Sequence, residues 1–350
     1  MRILILLRDL SLNGISTYNR NLANELSLQG HEVHVWPSNA AINSRSRMHW
    51  PILHPWTERL VRHFVQWISP DVILVSHFTQ ARLAHKLKQS TGTPWVACMH
   101  NGHSPKRMAE WAQLFSNAAG VVTLCETMRD KYAQLLASTA QAGQPEVAAV
   151  PVLLSRLPIA IPAPRKRASD APLKLAYCSR LSGGKGPLCE AWLQAVAALP
   201  GHERYKLLVM GGGNYLRTLR KTATELGLRV EFTGSIRDPG QRLDQVDVLT
   251  GSGYALMEGM VRGCAPVALG FAGCFGALTD SNLADAFAVN FGDHCLALLP
   301  KDPATVAREL QLAINSAANT ASIRQRSIER FAPQPIVAEL VEFLQQIKTA

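Results

Sequence analysis

Apolar runs of strand length alternate with helix-length stretches along the whole chain, and this alternation narrows the fold more than any other feature. It is the pattern that produces parallel sheets covered by helices on both faces. In the first half the strand candidates are Arg2 to Leu7, Glu32 to Trp36, Asp71 to Val75, Trp95 to Met99, Gly120 to Leu124 and Glu146 to Val150. The clearest helix runs from about Ile15 to Leu28, with Ile15, Tyr18, Leu22 and Leu26 at helical spacing and Gln29-Gly30 as its stop. A second series follows. It comprises strand Leu173 to Ser179, helix Pro187 to Leu199, strand Tyr205 to Met210, helix Asn214 to Leu226, and strands Val230 to Gly234 and Asp247 to Leu249. Helix Tyr254 to Val261 and strand Ala265 to Leu269 complete it.

At 350 residues the chain exceeds one ordinary core, and about 150 residues per domain predicts two. Between Val150 and Pro172 five prolines accompany a basic cluster, which breaks both helix and central strand and marks the junction. The expected organisation is α/β: two Rossmann-like, doubly wound domains, residues 1–165 and 166–350, facing each other across a cleft. A terminal amphipathic helix at about 336–347 is a candidate to pack back on the first domain. With 47% apolar and 18% charged residues there is material for two buried sheets.

Three glycine-containing turns stand where such sheets bind ligands, at strand ends that open helices. Arg180-Leu-Ser-Gly-Gly-Lys185-Gly-Pro187 combines two cations, exposed backbone N–H groups and a helix N-terminus opened by Pro187 at the first helical position, which suits a diphosphate. Its bland alternative is a basic surface loop. Met210-Gly-Gly-Gly213-Asn-Tyr215 permits close approach by a nucleotide or merely makes a turn; Leu216 breaks the dinucleotide fingerprint, so hydride chemistry is disfavoured. Thr250 to Gly270 places one carboxylate, Glu258, early in a helix beside glycines, where it can accept the paired hydroxyls of a ribose or simply complement the helix dipole. In the first half, Asn13-Gly14 and Met99-His100-Asn101-Gly102 occupy equivalent strand ends. His100 suits a sugar hydroxyl or a phosphate oxygen, and a structural histidine is the alternative.

The net charge of +10 points to nucleic acid, an anionic lipid surface or a phosphate-bearing substrate. Scattered charge without a recognisable binding module disfavours nucleic acid. Arg45, Arg47, Arg59 and Arg62 with Trp50, Trp56 and Trp67 form a mixture found at membrane interfaces and equally in an amphipathic helix packed on a sheet. Seven scattered cysteines without a C-x-x-C pair fit a reducing cytosol, and the N-terminal apolar run stops at Arg8. The expected location is cytoplasmic, with the inner face of a membrane as a candidate surface. No D-x-D, H-E-x-x-H, G-x-S-x-G or P-loop occurs, so neither a metal nor a cofactor is expected.

Together these segments resemble the retaining glycosyltransferases of family 4, which have the two-domain GT-B fold. The resemblance rests on Gly14 to Val35, Pro94 to His100, Ser179 to Gly186 and Gly253 to Val267, and so spans most of the chain. It implies that Arg180 and Lys185 hold the diphosphate of a UDP- or GDP-sugar, Glu258 its ribose, Gly14 the phosphate–sugar region and His100 the transferred sugar. Backbone near Gly253 and Tyr254 would touch sugar or phosphate, and the co-substrate would be a glycan or lipid-linked acceptor. One departure stands out: the family carries a further glutamate eight positions before the ribose-binding one, and Thr250 occupies that place.

Overall fold

The computed structural model describes residues 1–8, 13–37, 47–48, 57–143, 145–163, 171–294 and 298–349. Two compact units emerge: Met1–Pro158 with Pro333–Ala350, and Ile159–Ala332. The first contains strands β1 (Arg2–Leu7), β2 (Glu32–Pro37), β3 (Arg47–Met48), β4 (Val72–Val75), β5 (Trp95–Met99), β6 (Gly120–Thr123) and β7 (Val152–Leu154). Its helices are α1 (Gly14–Leu28), α2 (Thr57–Ile68), α3 (Phe78–Thr91), α4 (Pro105–Phe115) and α5 (Glu126–Gln141). The strands pair in the order β3-β2-β1-β4-β5-β6-β7, all parallel. Apolar on both faces, β1, β4 and β5 are buried almost throughout, which is why they read as continuous hydrophobic runs.

The second unit is built from β8 (Lys174–Cys178), β9 (Lys206–Met210), β10 (Val230–Gly234), β11 (Val248–Gly251), β12 (Ala265–Leu269) and β13 (Cys274–Ala277). Around them lie α6 (Lys185–Ala197), α7 (Leu216–Glu225), α8 (Gly240–Leu243), α9 (Gly253–Met260), α10 (Leu283–Ala288), α11 (Pro303–Ser316) and α12 (Ala321–Phe331). The sheet order is β10-β9-β8-β11-β12-β13, parallel except for β13, which is antiparallel at one edge. Tyr177, Trp192, Leu193 and Val209 are fully buried in its core. Both sheets change winding direction beside their first strand, between β1 and β4 and between β8 and β11.

Three expectations need correction. Glu146 to Val150 is not a strand; Pro145–Ala149 forms a 3-10 turn, and the edge strand β7 begins only after Pro151, which biases Val150 toward extended backbone. The units divide at Pro158 rather than near residue 165, because the proline-rich segment is docked: Ile159 N–H donates to Phe331 O at 2.9 Å and Arg324 to Pro162 O at 3.0 Å. The expected 166–350 bound also gives way at its end, in the direction that the terminal amphipathic helix suggested. The last helix, α13 (Pro333–Thr349), belongs to the first unit, where it packs on α1 and its Phe343 ring and Ile347 lie against Gly120 at the start of β6.

In α2, Val61, Phe64, Val65 and Ile68 are buried, whereas Trp67 is 77% exposed, Arg59 is exposed and Arg62 is partly buried. Arg45, Trp50 and Trp56 of the basic-aromatic stretch, and the side chain of Arg47, lie outside the described residues. Among the described residues no helix is long and apolar enough to cross a membrane. The six described cysteines are buried.

Candidate functional site

In the second unit the residues singled out in that half lie in and after three adjacent strands, β9, β8 and β11. Arg180 and Lys185 follow β8, Gly213 follows β9, and Gly253, Tyr254 and Glu258 follow β11. Lys185 is the hinge of this arrangement. It is the first residue of α6, two residues earlier than expected, so Pro187 is third in the helix, where its missing N–H still costs no helical bond. From there its ammonium spans the point where the winding reverses. Lys185 Nζ donates to Ser252 Oγ at 2.6 Å and to Asp293 Oδ1 and Oδ2 at 3.0 and 3.3 Å. Arg180 is exposed and, among the described residues, makes no ion pair.

The glycines have a tertiary purpose that spacing alone could not reveal. Gly211 and Gly213 have φ of 145° and 153°. A β-carbon on them would fall 1.8 Å from Ser179 O and 2.2 Å from Leu181 O, inside the backbone of the cationic loop. Leu181 N–H donates to Gly212 O at 2.9 Å, and Tyr215 N–H to Leu181 O at 3.0 Å. The triple glycine thus holds the two loops together, whatever else it touches. Gly186 lies under the Tyr215 ring, whose hydroxyl donates to Glu190 at 2.8 Å, and Gly184 lies under Phe271.

Glu258 is the sixth residue of α9, partly exposed, and later in the helix than a first-turn carboxylate. Its charge reaches the end of β8: burial, and then the nearby Glu258 carboxylate, push the Cys178 thiol up to about 12. Gly253, with φ of 53°, opens α9, and Tyr254 is buried behind it. Ser252, at the N-cap of α9, does not cap the helix with its side chain; its hydroxyl receives Lys185 instead. Thr250 is fully buried within β11 between Tyr177 and Val267, and among the described residues its hydroxyl has no hydrogen-bond partner. Asp293 and Ser252 escaped sequence reasoning. No motif marks Asp293, which arrives from 108 residues beyond Lys185 through tertiary packing.

In the first unit α1, β4 and β5 converge. Asn13 caps α1 by accepting from Ser16 N–H at 3.0 Å, and Gly14 begins the helix with open space where a β-carbon would stand. His100, after β5, is 8% exposed; its Nε2 lies 3.0 Å from Ser76 Oγ, which also accepts from Asn19 Nδ2 at 3.1 Å. Tyr18 meets the imidazole edge-on at 4.6 Å. Burial, and then the charge of His77, lower the His100 pKa to about 3, so the ring is neutral at physiological pH. Among the described residues no cluster of three or more His, Cys, Asp or Glu side chains is placed to hold a metal ion.

Residues 13–142 match the family model described as "Glycosyl transferase 4-like domain". HepE of Anabaena, solved with UDP and glucose, aligns over 99% of this chain and 100% of its own at 16% identity and a TM-score of 0.72. The architecture is that of a GT-B glycosyltransferase. Sucrose-phosphate synthase from Thermosynechococcus elongatus is similar over 99% of both chains at 16% identity and a TM-score of 0.73. The lipopolysaccharide outer core galactosyltransferase WaaB likewise aligns over 99% of both at 15% identity and 0.63. No curated protein matches the chain by sequence. Within the GT-B fold the cationic loop, the triple glycine and α9 all lie in one Rossmann-like unit.

Proposed function

We propose that the chain is a retaining glycosyltransferase of family 4 that moves a hexose-type sugar from a nucleoside-diphosphate sugar to a glycan or lipid-linked acceptor, without metal. The observation that carries this is Lys185, held by Ser252 at the switch point between β8 and β11. Arg180 and Lys185 bind the diphosphate, Glu258 the ribose, and the backbone at Gly213, Gly253 and Tyr254 approaches the phosphate–sugar region. The family resemblance assigns Gly14 to the phosphate–sugar region and His100 to the transferred sugar. HepE, solved with UDP-glucose, and the galactosyltransferase WaaB support a nucleotide-sugar donor and a cell-envelope acceptor by analogy of fold.

The chemistry follows from charge. As the bond between the anomeric carbon and the β-phosphate oxygen breaks, negative charge grows on the departing diphosphate. Two cations and a helix N-terminus fixed beforehand stabilise that charge more in the transition state than in the ground state. The acceptor oxygen takes the anomeric carbon, and its proton leaves with the diphosphate, so no protein nucleophile is needed. Retention of configuration follows from the family resemblance.

A donor panel tests the reading. One nucleotide sugar, at 100 times its Kd, should add about 2.7 kcal/mol to the stability of the wild-type chain. Lys185→Ala should lower kcat/KM for that donor at least ~100-fold. Turnover near that of wild type would sink the assignment.

A further inference from the structure

A carboxylate beside a phosphate-binding lysine is a costly thing to build. Asp293 weakens the field of Lys185 and repels a diphosphate, so its presence calls for a reason. It is also not a side chain that drifted there. The three residues before it, Asn290, Phe291 and Gly292, all have left-handed backbone, with φ of 48°, 59° and 85°, and two of them are not glycine. Such conformations persist only where surrounding structure imposes them, and they concentrate at ligand sites. Here the imposition is visible. Phe291 N–H donates to Ala286 O at 2.9 Å and Ala272 N–H to Gly292 O at 3.0 Å. Gly270 packs so close to Gly292 that a β-carbon would fall 2.2 Å from its carbonyl carbon. Asp293 Oδ1 accepts the Phe271 N–H at 2.9 Å, which fixes the carboxyl plane. Oδ2 lies over the start of α9, 3.4 Å from where a β-carbon would stand on Gly253.

A mobile counter-ion would not need this scaffold. A fixed, partly exposed acceptor does need it, if the group attached to the phosphate presents neutral donors on that side. Resting on the glycosyltransferase reading, we propose that Asp293 is a donor-specificity residue: it accepts hydrogen bonds from hydroxyls of the sugar on the β-phosphate and orients Lys185 toward that phosphate. Thr250, buried within β11, cannot make such a contact. Asp293 thus supplies, from the turn after α10, a carboxylate where position 250 has only a hydroxyl. Lys185 retains one of its three N–H donors for phosphate after serving Ser252 and Asp293.

The test is the ratio of the Kd for a nucleoside diphosphate to the Kd for the matching sugar nucleotide, measured calorimetrically with UDP, GDP and their hexose derivatives. Asp293→Asn removes the charge yet keeps an oxygen for the Phe271 amide. It should leave nucleoside-diphosphate binding unchanged or tighter while sugar-nucleotide binding weakens at least ~10-fold, the loss expected for a charge-assisted hydrogen bond. The ratio falls accordingly. If Asp293→Asn does not fold, Asp293→Ser provides the same comparison. An unchanged ratio, whether both affinities stay, fall together or tighten together, overturns this role and leaves the glycosyltransferase reading standing. A folded wild-type chain that binds no nucleoside diphosphate and no sugar nucleotide overturns that reading first.

Discussion

Three side chains show how burial sets what a residue can do. Lys185, partly exposed at the start of α6, is held in place by Ser252 and Asp293. Thr250 is the opposite case, a hydroxyl sealed in a strand with nothing among the described residues to bond. Because an unsatisfied buried hydroxyl carries a desolvation cost of about 1–3 kcal/mol, Thr250→Val should leave the chain as stable as wild type or raise its melting temperature, with donor binding unchanged. A melt and a calorimetric titration check both parts; a lost donor site would place Thr250 back at the ligand. His100 offers a pH test. Its folded pKa, about 3, lies below the unfolded value near 6.5, so the unfolded state binds more protons between those limits. Stability from this group is complete above about pH 6.5 and falls as pH drops toward 3, by at most about 1.4 kcal/mol per pH unit. Denaturant titrations of wild type and His100→Gln should show a shallower acid dependence in the variant.

At the scale of elements, the site is an assembly of loops rather than a single motif. The cationic loop after β8 is held against the turn after β9 by backbone hydrogen bonds, and glycines at the contact leave no room for a side chain. Gly211→Ala should therefore cost roughly 2–4 kcal/mol, combining left-handed strain with displacement of Ser179, and should weaken donor binding although residue 211 need touch no ligand. Urea unfolding with a parallel donor titration measures both. Most of this was legible early: strand ends followed by glycine turns announce ligand loops, and β1, β5, β10 and β12 have the bounds their apolar runs predict. The exception at Glu146 to Val150 is instructive. A short run of valine and alanine fits strand or turn equally, and the flanking prolines, not hydrophobicity, decided the outcome.

For the whole molecule the decisive feature is the return of α13 to the unit that begins the chain. Its Val337, Leu340 and Leu344 are fully buried, and no local signal says which sheet they cover. Leu340→Ala should cost about 2–5 kcal/mol, the usual range for such a deletion in a core. Hydrogen exchange should locate the loss in α1, β6 and α13, with protection in α6 and β11 retained; equal loss in both sets of peptides would contradict the division into units. Composition allowed two cores and the amphipathic pattern made the terminal helix a candidate for the first, but the bounds of that return, residues 333–350, came from the fold.

Order along the chain determined the alternation of strand and helix, hence two parallel sheets, and the placing of Arg180, Lys185, Gly213 and Glu258 at strand ends. Those are consequences of side-chain period and turn chemistry, which act over a few residues. The tertiary structure alone decided that Asp293 meets Lys185, that the triple glycine clasps the cationic loop, and that Thr250 is buried in β11. Each depends on backbones brought together from distant positions, and the excluded volume and hydrogen bonding that fix such encounters leave no periodic trace in the sequence.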